Sequence, residues 1–197
     1  TIICYLRGAR EEESHLDTKH ITQPLGDGNE PPRRQLQSGT TLVRRYNIQE
    51  VIGVGGMGSV YRARDLHFPN VVKLVAVKEM VNMAPDPLVR KTIVQNFERE
   101  ANLLATLNHP SIPRIYDYFT EDDRSYHVLE FIHGKDMEAI INDTNGFLPE
   151  DQVLGWGISL CDVLTYLHGH KPDPIIFRDM KPSNVMINHN GDVVLVD

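Results

Sequence analysis

A glycine-rich hexad, Gly53-Val54-Gly55-Gly56-Met57-Gly58, lies between two β-branched and aromatic runs, Tyr46 to Val54 and Ser59 to Arg64. Its placement restricts the fold more than any other feature of the chain. In a dinucleotide-binding fold the last glycine of G-x-G-x-x-G opens a helix, and an acidic residue follows about 20 positions on. Here Ser59-Val60-Tyr61-Arg62-Ala63 follows instead, which is strand-forming. The loop therefore joins two strands of a hairpin. Its backbone N–H groups can fold over phosphates, because glycines carry no Cβ to keep the main chain away. On the loop alone, a hairpin turn without a ligand is an equally good reading.

The rest of the pattern extends this start. A third β-rich run, Lys73 to Met80, completes an antiparallel meander. Asp86-Pro87 supplies an N-cap and a first-turn proline for a long helix to Leu107, with Ile93, Phe97, Leu103, Leu104 and Leu107 apolar. Two more strand-like runs, Arg114 to Phe119 and Ser125 to Ile132, flank the charged turn Glu121-Asp122-Asp123. Five strands and one helix make a first lobe. A second helical pattern runs from about Pro149 to His168, with Val153, Leu160, Leu164 and Leu167 at helical spacing. Gly155 and Gly157 weaken it by about 1 kcal/mol each relative to alanine. Ile175 to Phe177, Val185 to Ile187 and Val193 to Val196 then read as short strands around a polar loop and the turn Asn190-Gly191. The class is α+β. Residues 1–42 read as a disordered linker or tail, 43–132 as the strand-rich lobe and 133–197 as the start of a helical one.

Composition narrows the function. In 197 residues, 41% of them hydrophobic, there is enough apolar material for a real core. A net charge of −7 argues against a nucleic-acid binder, whose phosphate contacts need a basic excess. The two cysteines, Cys4 and Cys161, are far apart and suggest neither a disulfide framework nor a zinc site. No apolar run reaches the about 20 residues that cross a bilayer, so the expected location is cytoplasmic. Thr1 and Asp197 look like cut ends, and a longer parent could carry a membrane anchor elsewhere.

Three further motifs carry chemistry. Val75-Ala76-Val77-Lys78 puts a lysine in an apolar strand, where an unpaired ammonium would be costly. Glu100, in the long helix beside Phe97, Leu103 and Leu104, is the candidate partner that would hold Lys78 toward phosphates. The run Phe177-Arg178-Asp179-Met180-Lys181-Pro182-Ser183-Asn184 follows much later, with Asp197 beyond it.

Together these motifs resemble the protein kinase family. The run from Phe177 is similar to H-R-D-L-K-P-x-N, and it joins V-A-V-K and G-x-G-x-x-G-x-V, completed by Val60, in the family's order over Tyr46 to Asp197. The resemblance implies a two-lobed fold with a complete five-stranded N-lobe, its helix, and part of a helical C-lobe. It implies transfer of the γ-phosphoryl of ATP to serine or threonine of protein substrates, with Asp179, Lys181, Lys78 and Glu100 as catalytic residues. ATP would contact Gly53, Gly55, Gly56, Gly58, Val60, Ala76, Lys78, the hinge residues Glu130 and Ile132, and Asp136 at the ribose. Asn184 and Asp197 would hold Mg2+. Lys181 points to serine or threonine rather than tyrosine, and Gly-Gly-Met-Gly-Ser-Val-Tyr-Arg-Ala resembles bacterial, eukaryotic-like kinases. Self-phosphorylation through a homodimer is a further expectation. Phe177 replaces the usual histidine, which leaves an ATP-binding pseudokinase or scaffold as the alternative. The chain as given, ending at Asp197, is expected to be inactive by itself.

Overall fold

The computed structural model describes residues 35–55, 58–81, 86–122 and 124–196. Of the linker reading of residues 1–42, residues 1–34 fall outside the described residues, as do Gly56 and Asp197, while residues 35–42 are described and end in a strand with Leu42 buried.

Six strands build the first lobe: β1 (Thr41–Leu42), β2 (Tyr46–Gly55), β3 (Gly58–Asp65), β4 (Leu74–Val81), β5 (Ile115–Glu121) and β6 (Arg124–Glu130). All neighbours are antiparallel, in the order β1-β2-β3-β4-β6-β5. The five expected runs are five of these strands, and the expected count of five is corrected to six by β1. A two-residue strand has no period to read. It is fixed instead by main-chain bonds, since Ile48 N–H donates to the Thr40 carbonyl at 2.8 Å and Gly39 N–H to the Ile48 carbonyl at 2.8 Å.

Strict alternation along β3 gives the sheet two distinct faces. On one, Tyr61 lies across from Val77 and Val77 across from Val128, all fully buried with Tyr46 and Ile48. Buried Glu79 belongs to this face. Its carboxylate accepts from the Tyr61 hydroxyl at 2.7 Å and pairs with Arg124, while the Tyr61 oxygen accepts the Leu36 N–H at 3.1 Å. On the other face Val60 lies across from Lys78, Lys78 across from His127, and Ala76 across from Leu129.

Helix α1 (Pro87–Thr106) starts at Asp86, whose side chain accepts the Leu88 N–H at 2.8 Å, with proline in the first turn. Phe97, Ala101 and Leu104 form its buried stripe. Past β6 come β7 (Gly134–Asp136), α2 (Met137–Asp143), α3 (Glu150–His168), a 3-10 turn over Pro182–Asn184, β8 (Val185–Asn188) and β9 (Val193–Leu195). β7, β8 and β9 form a second antiparallel sheet. Ile175 to Phe177 is not a strand. These residues have no neighbouring ladder; Ile175 and Phe177 are held by burial while Ile176 is exposed, and Ile175 N–H donates to the Leu167 carbonyl at 2.9 Å. Helix α2 has only seven residues and no buried one, too short for a periodic signal.

One core ties the parts together. Leu104 and Leu107 at the end of α1 pack in the same cluster as Trp156 and Leu167 of α3, Phe177, and Val185 of β8. Main-chain contacts reinforce it, with Leu195 N–H donating to the Ser111 carbonyl at 2.9 Å. Gly134 sits where a Cβ would come within 2.0 Å of the Ile187 carbonyl oxygen and 2.8 Å of the Asn188 Cα.

Candidate active site

The glycine-rich segment is the β2–β3 turn, with Gly53 facing Val60 and Gly55 facing Gly58 across the ladder. Its glycines are not equivalent. A Cβ on Gly58 would lie 1.9 Å from the Glu79 carbonyl oxygen, so packing alone forbids a side chain. Gly53 and Gly55 would meet nothing nearer than 3.7 and 3.8 Å. Gly58→Ala is therefore expected to cost about 1–3 kcal/mol of stability through overpacking. Gly55→Ala should leave the urea midpoint unchanged and weaken nucleotide binding. Denaturation and nucleotide titration of both variants check the contrast, and equal effects on stability would remove it.

Lys78 Nζ lies 3.3 Å from Glu100 Oε1, with side chains 19% and 11% exposed. The sequence places these groups 22 residues apart, and the fold joins them because Glu100 sits within the Phe97–Leu104 stripe that packs on the sheet. Val60 and Ala76 share that sheet face with Lys78.

At the end of β6, Glu130 pairs with Val75 of β4, and its N–H donates to the Arg114 carbonyl at 2.8 Å. Ile132 lies in the connection between β6 and β7, outside both ladders. Asp136 caps α2, its Oδ1 accepting the Ala139 N–H at 2.7 Å. Contact with a ribose would fall to the other oxygen. Sequence patterns did not disclose the cap, although an aspartate before Met-Glu-Ala is a legible N-cap signal.

Asp179, Lys181 and Asn184 converge. Lys181 Nζ is 2.7 Å from Asp179 Oδ2, both side chains half-exposed. Buried Asn184 donates from its amide nitrogen to the Asp179 carbonyl at 2.9 Å and to Oδ2 at 3.0 Å. The Lys181 bond, with help from Asn184, holds the Asp179 carboxyl below the usual carboxylate range. Two features shape this loop. Phe177 is buried in the core just before it, and Pro182 starts the 3-10 turn that brings Asn184 back. Because Asn184 commits its N–H donors to Asp179, its carbonyl oxygen is the end available to a metal. A hard oxygen donor fits Mg2+. Val196 N–H donates to the Asn184 main-chain carbonyl at 2.9 Å, and Asp197 follows outside the described residues.

The sequence reading missed His127. It is fully buried across from Lys78, its ring stacked on Phe97 at 3.6 Å between centroids.

A family model described as protein kinase domain matches residues 46–197. Serine/threonine-protein kinase PrkC of Bacillus subtilis is 32% identical over 159 residues, covering 81% of this chain and 23% of its own length. Serine/threonine-protein kinase B of Synechocystis is 32% identical over 155 residues, covering 78% of this chain and 26% of its own. Serine/threonine-protein kinase PknA of Nostoc is 33% identical over 159 residues, 79% and 27% respectively. The chain spans about a quarter of the length of these relatives. Among solved structures, one titled PpkA-294 apo form matches with a TM-score of 0.72 at 23% identity, covering 83% of this chain and 61% of that one. That likeness shows the fold.

Proposed function

Because this chain belongs to the protein kinase family, we propose that it forms the ATP-binding and catalytic-loop portion of a serine/threonine protein kinase. The observation that carries the proposal is the Asp179–Lys181–Asn184 cluster, an acid, a cation and an amide gathered within hydrogen-bond reach. The relatives' names support serine and threonine as acceptors.

In this reading the turn between β2 and β3 covers the ATP phosphates, and the Lys78 ammonium, aimed by Glu100, neutralises part of their charge. Val60, Ala76 and Leu129 supply apolar walls for the base, and the Glu130 carbonyl and Ile132 N–H its polar contacts. Asp179 orients the substrate hydroxyl. Its depressed pKa makes it a weak proton acceptor until the transferring group has left, so positioning is its larger contribution. Lys181 offsets charge on the transferring phosphoryl group. Asn184 and Asp197 would hold Mg2+, which when bound neutralises negative charge on the phosphate oxygens.

ATP as donor places the domain in the cytoplasm. Among the described residues no helix is long and apolar enough to cross a membrane. A second copy of the protein is the simplest first substrate. The test incubates the full-length protein with γ-labelled ATP, Mg2+ and a generic protein substrate, then identifies the labelled residues. Label on serine or threonine is expected. Nucleotide binding without transfer would replace this reading with a scaffold that signals by conformation.

A further inference from the structure

His127 lies on the Lys78 sheet face, across the ladder from Lys78, and its polar atoms have no part in the site described above. It is completely buried in the middle of β6. Its Nε2 lies 3.0 Å from the carbonyl oxygen of Phe97 in α1. A carbonyl only accepts, so Nε2 carries the proton and Nδ1 is a bare lone pair. That Nδ1 is buried with no hydrogen-bond partner. The ring lies nearly parallel to Phe97, 9° between planes, with Tyr118 of β5 tilted against it at 5.7 Å.

An apolar residue would fill this slot without leaving an acceptor unsatisfied, which normally costs stability. A polar group kept against that cost points to a use for its other end. The other end grips α1 at Phe97, three residues and about one helical turn before Glu100. We propose that His127 is a positioning residue that fixes α1 to β6 through Nε2–H and the Phe97 carbonyl, and so sets Glu100 toward Lys78. The bond spans 30 residues of sequence and joins α1 to the strand carrying Leu129, two residues on.

The charged and titratable groups that face the ring are Lys78 across the ladder on β4 and Tyr118 on β5, with Glu100 of α1 reaching it only through its ion pair with Lys78. Burial pushes the imidazole down to about 4; the Phe97 carbonyl opposes the fall and the Lys78 ammonium adds to it. The folded protein thus keeps His127 neutral while an opened chain would protonate it near 6.5. The contribution to stability is whole above that value and is lost as pH falls toward about 4. A protonated ring would also place a second cation beside Lys78.

This inference rests on the kinase reading for its kinetic arm and on geometry alone for its other arm. The experiment uses the full-length protein and the variants His127→Phe and His127→Gln, each also in a Glu100→Gln background. His127→Phe keeps the stacked ring and removes both the donor and the unpartnered lone pair. Hydrogen exchange of residues 98–106 is expected to quicken about tenfold, the weight of one hydrogen bond, while the melting temperature does not fall. kcat is expected to fall by about the same factor with little change in KM for ATP. His127→Gln, which restores an amide donor, should recover exchange protection. In the Glu100→Gln background His127→Phe should change kcat less than about twofold, because its effect passes through Glu100. Unchanged exchange in α1, or a kinetic loss that adds in full to that of Glu100→Gln, would overturn the proposal. A wild-type protein without phosphoryl transfer would overturn the kinase reading instead, and the exchange arm would still decide this one.

Discussion

Lys78→Met in the full-length protein is expected to lower phosphoryl transfer by about 10²- to 10³-fold, the size of effect seen when one preorganised charge is removed from a reacting centre. The methionine keeps an apolar stem in β4, so the Val60 and Ala76 surroundings stay filled. Glu100, only 11% exposed, would lose its ammonium partner, which should cost about 1–3 kcal/mol of stability. The two losses can be separated. Lys78→Met combined with Glu100→Gln removes the stranded charge and should recover the urea midpoint without recovering transfer. Recovery of activity along with stability would show that the ion pair serves folding rather than phosphate positioning.

Asp179→Asn should reduce kcat by about 10²- to 10⁴-fold while nucleotide affinity stays near wild type, because the group acts on the hydroxyl and not on ATP. The fold should tolerate the change. Asp179 is half-exposed, and an asparagine oxygen can still accept from Asn184. In the wild type the carboxylate stays ionised through neutral pH, since the Lys181 bond depresses its pKa. Its limb of the pH–rate profile should therefore drop only below the ordinary carboxylate range. Lys181→Met should move that limb up toward the ordinary range. Single-turnover kinetics across pH measure both; a variant that loses ATP affinity but keeps its rate would reassign Asp179 to nucleotide binding.

The parts of this site that could be read from sequence are those written in local signals. β-branched runs located the strands around the turn at Gly53 to Gly58, and an apolar strand around Lys78 implied a partner, supplied by Glu100 at 3.3 Å. Asp179, Lys181 and Asn184 sit within six positions of one another, and the Pro182 turn closes them into a cluster. What could not be read lacks a local signature. β1 is two residues long, and α2 buries no residue. Ile175 to Phe177 looks like a strand because it is apolar, yet Ile175 and Phe177 are buried in the core and no ladder runs beside them. His127 matters through a carbonyl 30 residues earlier, which no periodicity encodes. The glycine at 58 is needed for a neighbour on β4, a reason separate from the phosphate role its motif suggests.

Gly134 carries a different kind of constraint. The atoms that would collide with a side chain there are the Ile187 carbonyl and the Asn188 Cα, which every residue possesses at those positions. Substitutions at 187 or 188 cannot make room, so no compensating change on β8 rescues a lost glycine. As far as this joint is concerned, the facing strand can drift in sequence without loss, while position 134 has an alphabet of one letter.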